Sequence, residues 1–254
     1  MEYFVKEGSI VRRIWGKSDI ILFIFAGAAA EFALNKAVDW LYFTGKLPSD
    51  PLGRLFSTVS YAREIVFSSK QEANEAIDRI QAIHQAVEQQ RGDTIPDWAY
   101  RDVLFMLIYY SLAAFELLDR KMSPEEKEEL FQVFFRFGQR MGLEHLPQNY
   151  SQWLEARQSH LEQDLEMSDL SRDLFKQYRK HLGAMRYKML VEAQKLLVPE
   201  KVKTLMRFTN FPWMRPVVPL YQFSRTLKLD WMVKEWLLPS AYKERIKGLE
   251  VCGD

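Results

Sequence analysis

One cysteine, Cys252, is all that 254 residues contain, so no intrachain disulfide framework and no thiolate zinc or iron–sulfur site can be built. A charge excess is missing too. Lysine and arginine number 35 against 34 aspartate and glutamate, which gives no field to attract a nucleic-acid backbone or an anionic membrane. Glycine and proline are few, at 11 and 10, and no low-complexity stretch or repeat is present, which argues against disorder and solenoids. A membrane span is also lacking: the greasiest run, Ile20 to Leu34, is short for one and carries Glu31. The opening MEYFVKEGSIVRR has no apolar signal core, and with a single thiol this leads us to expect a cytoplasmic protein. No glycine-rich phosphate loop, nucleophile elbow or cysteine–histidine pair supports an NTPase, hydrolase or cysteine enzyme.

What is present is apolar and helical. Hydrophobic residues make up 48% and aromatics 14%, enough for a substantial core with something left to line a cavity. The apolar period is close to 3.6 almost everywhere, broken at Gly and Pro, and no period-2 strand run appears. The expectation is an all-α, single-domain chain spanning 1–254. Helices are expected at about Asp19–Thr44, Asp50–Ser68, Gln71–Gln90, Asp97–Leu118, Glu125–Met141, Gln152–Gln163 and Leu170–Leu197, the last interrupted or kinked at Gly183, with several short ones after Pro212. Thr209 to Pro219, with three prolines, reads as a wrapping tail. Ser123-Pro124-Glu125-Glu126 is a strong start signal: Ser caps the free N–H groups, Pro fits the first turn, and the acids suit the positive helix end.

Three residues stand out as candidates for chemistry. His84 shares a helical stripe with Ala73, Ile77, Ile80 and Val87, which points an imidazole inward. On these residues alone a satisfied core histidine is the commoner account, with metal or haem ligation the sharper one. Arg54 and Thr58, four apart, share a face continued by Tyr61, while Leu52, Leu55, Phe56 and Val59 cover the packed side. A guanidinium beside a hydroxyl suits a carboxylate-bearing ligand; the bland alternative is an Arg that snorkels or pairs with Glu31 or Asp39. Glu31, costly if buried alone, is expected to be paired with an arginine, the other reading being a base in the pocket. The small residues Ala26 to Ala30 suit close packing of a helix or of something flat. Met106, Tyr109, Tyr110, Phe115, Phe134 and Phe135 could line a channel, although such stripes are usually core. His145, His160 and His181 show no one-helix metal spacing and read as ordinary.

The order Asp50-Pro51, Arg54-Leu55 and Thr58, then an Ala/Ile-rich helix with His84, then Met122-Ser123-Pro124-Glu125-Glu126 leading to Met141-Gly142-Leu143 and Leu146-Pro147, resembles the latex-clearing (rubber oxygenase) and MpaB-type oxygenases from about Val11 to Pro239. The resemblance implies a helical domain enclosing haem b. His84 matches the axial iron ligand, and Arg54 and Thr58 match residues that flank the haem, with catalytic or cofactor-binding roles. Where latex-clearing enzymes can carry a haem-capping lysine, this chain has Ser57, so a lysine-closed iron is not expected. The implied partners are O2 and an apolar, isoprenoid-like alkene that is cleaved to carbonyl products. A haem protein without oxygenase activity (sensor, carrier or peroxidase-like) and a helical interaction protein that has lost its cofactor remain open at this point, as does the oligomeric state.

Overall fold

The computed structural model describes residues 2–208 and 211–226, all of whose regular elements are helices. They are α1 (Ile10–Trp15), α2 (Ser18–Leu34), α3 (Val38–Phe43), α4 (Lys46–Ser49), α5 (Pro51–Phe67), α6 (Lys70–Arg91), α7 (Asp97–Leu118), α8 (Pro124–Arg140), α9 (Tyr150–Gln163), α10 (Asp169–Leu197), α11 (Glu200–Leu205) and α12 (Val217–Thr226). The helices expected beyond Thr226, and Cys252, lie outside the described residues, as does Thr209 of the expected tail.

Local chemistry explains most boundaries. Asp50 accepts from the Gly53 N–H ahead of Pro51 at the start of α5. Ser69 and Glu72 close a reciprocal box at the start of α6, and Ser123 and Glu126 do the same for α8. The stretch Asp19 to Thr44, read as one helix, is two. Asn35 leaves helical geometry, accepts the Ala37 N–H on Oδ1 and gives its amide to Asp102, so a side chain captures the donor that would have continued the helix. Gly183 splits α10 with φ 74° and ψ 165°, a conformation that side-chain-bearing residues rarely adopt. The short helices α1, α4 and α11 were below what periodicity can reveal.

α2 is apolar all round and therefore central, packed between α7 on one side and α10 on the other. Gly27 permits the approach to α7: a Cβ there would sit 2.3 Å from ring carbons of Tyr110. Trp15, Phe115, Phe131 and Trp153, all essentially without exposure, fill the core around it. No described helix is long and apolar enough to cross a membrane.

Candidate active site

Beside α2 the packing opens into a cavity of about 630 Å³. Its walls are mostly carbon, with Ala26, Ala28 and Ala29 from α2, Ile80 and Val87 from α6, Met106 from α7 and Leu190 from α10. The alanine stretch thus has two faces, Gly27 against Tyr110 and its neighbours against open space. Into this wall project a few polar groups, among them Arg54, Thr58, Tyr61, His84, His181 and Arg186. All three candidates from the sequence therefore line one cavity.

His84 arrives there because the stripe of α6 runs out of the core. Ala73 and Ile77 are fully buried, whereas Ile80, His84 and Val87 face the cavity. The ring packs edge-on against Tyr100, centroids 5.2 Å apart, and the Tyr100 hydroxyl donates to Glu88 at 3.2 Å. Nδ1 is shut off from solvent and leans toward the Ile80 carbonyl without closing a full hydrogen bond. Burial, and after it the Arg54 charge, lowers the imidazole pKa, with Glu88 and the Ile80 backbone opposing. The ring is neutral at neutral pH, which ligation of a metal requires.

Arg54 forms no ion pair among the described residues. The two carboxylates that could have claimed it are taken, Glu31 by Arg157 and Asp39 by Arg91. Arg54 lines the cavity, and the surrounding protein lowers its pKa by desolvation. Thr58 donates to the Arg54 carbonyl at 3.0 Å, which fixes its hydroxyl and leaves its lone pairs available. Ser57, at the place of a possible capping lysine, does not line the cavity.

An arginine with no carboxylate partner among the described residues, a neutral histidine and an apolar chamber form one constellation, and the sequence matches the family described as ER-bound oxygenase mpaB/B'/rubber oxygenase, catalytic domain, over residues 12–233. The chain belongs to this oxygenase family. Neither a search of curated proteins nor one of solved structures gave a match.

In this member of the mpaB/rubber oxygenase family the aromatic and methionine stripe divides. Met106 and Phe134 line the cavity, whereas Tyr109, Tyr110, Phe115 and Phe135 do not. Tyr110 and Phe115 are instead fully buried core.

A second polar centre bears out the expected pairing of Glu31 with an arginine and adds to it a histidine that was read as ordinary. Behind the cavity, Glu31 of α2 is fully buried and receives both Arg157 guanidinium nitrogens, the Tyr110 hydroxyl at 2.8 Å and His160 Nε2 at 3.0 Å. His160 Nδ1 lies 2.8 Å from Asp102, whose other oxygen accepts from Asn35 at 2.8 Å. His160 is thus not an ordinary surface histidine but the hub of a charge network tying α2, α7 and α9. Burial alone would raise the Glu31 carboxyl, but Arg157 and His160 hold it at about 2. Burial would lower His160, but its hydrogen bonds to Asp102 and Glu31 raise it to about 9. Burial lifts the Asp102 carboxyl above its usual range against the opposing pull of His160. Asp102, His160 and Asp164 gather donor atoms within 4.8 Å of one another, a spacing that can hold a cation. A protonated His160 lies between the Glu31 and Asp102 carboxylates and balances their charge, so the cluster reads as a structural clip.

Proposed function

We propose that this chain is a haem b-dependent oxygenase that cleaves a carbon–carbon double bond of an apolar, isoprenoid-like small molecule with O2. The observation that carries the reading is the neutral His84, its Nδ1 buried, on the wall of a carbon-lined chamber beside an Arg54 with no carboxylate partner among the described residues. These residues fit the group. His84 would hold the iron through Nε2, the alanine surface of α2 leaves room for a flat macrocycle, and Arg54 offers a propionate a bidentate partner. Haem supplies O2 activation when bound.

The chain's own residues do the rest. Tyr100 sets the plane of the imidazole and Glu88 anchors Tyr100. Thr58, held by its own helix, presents an oxygen that can orient a bound polar group. The apolar walls exclude water and select an alkene over a polar substrate. The overall reaction balances without a reductant: one alkene and one O2 give two carbonyls, each taking one oxygen atom.

Absorption spectra of the parent and His84→Ala, in ferric, reduced and carbon monoxide-bound forms, test the cofactor. A Soret band in the parent, lost or displaced in the variant, is expected. A variant spectrum identical to the parent's refutes the axial assignment, and a colourless parent that cannot be reconstituted refutes the haem. Isotopic 18O2 with an isoprenoid alkene tests the reaction: label in both carbonyl products is expected, and a holo-protein that consumes no O2 is not an oxygenase of this kind.

A further inference from the structure

The cavity wall carries three cations, one more than the two propionates of a haem b would take up. Of the formally charged side chains on its wall, Lys46, Arg54 and Arg186 are positive and Asp19 is negative. Asp19 is engaged, accepting from Tyr221 at 3.0 Å and from the Ile20 N–H. Lys46 and Arg186, like Arg54, have no carboxylate partner among the described residues, and they are the cations without one that line the cavity. His181 adds a further nitrogen to the same wall.

The backbone is shaped to collect these groups. His181 and Arg186 are five positions apart, which on an unbroken helix at 3.6 residues per turn would point them about 140° away from each other. The break at Gly183 lets both line one cavity. α10 packs against α4, the helix that begins with Lys46, and against α5 with Arg54. Arg54 is the cation that acts on His84, and Lys46, His181 and Arg186 share with it the exposed part of the wall. The cavity is thus polarised, apolar within and cationic around the break in α10.

We propose that Lys46, His181 and Arg186 bind the anionic head, carboxylate or phosphate, of an amphipathic substrate whose unsaturated chain occupies the carbon-lined interior. This names a substrate class for the site and rests on the reading of the cavity as the oxygenase pocket. The physical reason is that an unpaired guanidinium or ammonium gains a charge-assisted contact only from a ligand that brings the anion.

The test is calorimetric titration of the purified holo-protein with oleate, oleyl phosphate and oleyl alcohol, which share one chain and differ in the head. Both anions are expected to bind about tenfold or more tightly than the alcohol, the effect of one charge-assisted contact. Whichever of the two binds tighter names the head. In the double variant Arg186→Gln, Lys46→Gln that preference is expected to vanish, with alcohol affinity, Soret intensity and thermal midpoint unchanged. Equal affinity for acid and alcohol in the parent overturns the proposal. So does a double variant that keeps its preference for oleate but loses haem, because the cations would then serve the propionates. A colourless protein that still prefers oleate would sink the haem reading and leave this one standing.

Discussion

Replacing Arg157 by methionine should be among the most damaging single changes in the chain. Arg157 is 3% exposed and Glu31 is fully buried, so the substitution keeps the volume and leaves an ionised core carboxylate with only His160 and Tyr110 to hold it. Removing one partner of a buried pair costs roughly 3–5 kcal/mol, a large share of a total stability of about 5–15 kcal/mol. At roughly 2–4 °C per kcal/mol for a chain of this size, the thermal midpoint should fall by about 10 °C or more. The double variant Glu31→Gln, Arg157→Met leaves no uncompensated carboxylate there, and should recover most of the loss, to within about 1–2 kcal/mol of the parent. Urea unfolding of the parent, both singles and the double closes the cycle. If Arg157→Met costs under about 1 kcal/mol, or the double is no better than that single, the network does not hold α2 to α9 as described.

The His160 hub makes stability fall on the alkaline side. Its pKa is raised from 6.5 to about 9 in the folded chain, so its contribution is complete below pH 6.5 and lost as pH climbs through 9. That is on the order of 3 kcal/mol, and the decline in midpoint between pH 6.5 and 9 should flatten in His160→Gln; an equally steep decline in the variant would refute the assignment. Glu31 works at the other end, its contribution present above 4.5 and lost as pH falls toward about 2, so the fall in stability between pH 4.5 and 2 should be shallower once Arg157 is gone. Gly27→Ala improves helix propensity yet drives a methyl into the Tyr110 ring, and a net loss of about 2 kcal/mol is expected; a stabilised variant would show that α2 and α7 are not so close. Tyr100→Ala should weaken haem retention about tenfold while Tyr100→Phe keeps it, read from haem transfer to an apo-globin acceptor; equal retention in all three would remove Tyr100 from the positioning of His84.

By itself the sequence determined the all-helical class and most helix ends, because caps such as Ser69, Ser123 and Asp50 and breakers such as Gly92 and Gly183 act over three or four residues. It also marked His84, Arg54 and Thr58, since spacing along a helix sets which side chains share a face. What it could not decide was which surface each face would meet. That Arg54 stays unpaired depends on Glu31 finding Arg157, 126 positions away, and on Asp39 finding Arg91, 52 positions away. The break at Asn35 depends on Asp102, 67 positions on, and neither residue signals it locally. Only tertiary packing made His160 a buried hub and brought His181 and Arg186 to one wall, because burial and Coulomb partners are properties of neighbours in space, and helical periodicity reports only neighbours along the chain.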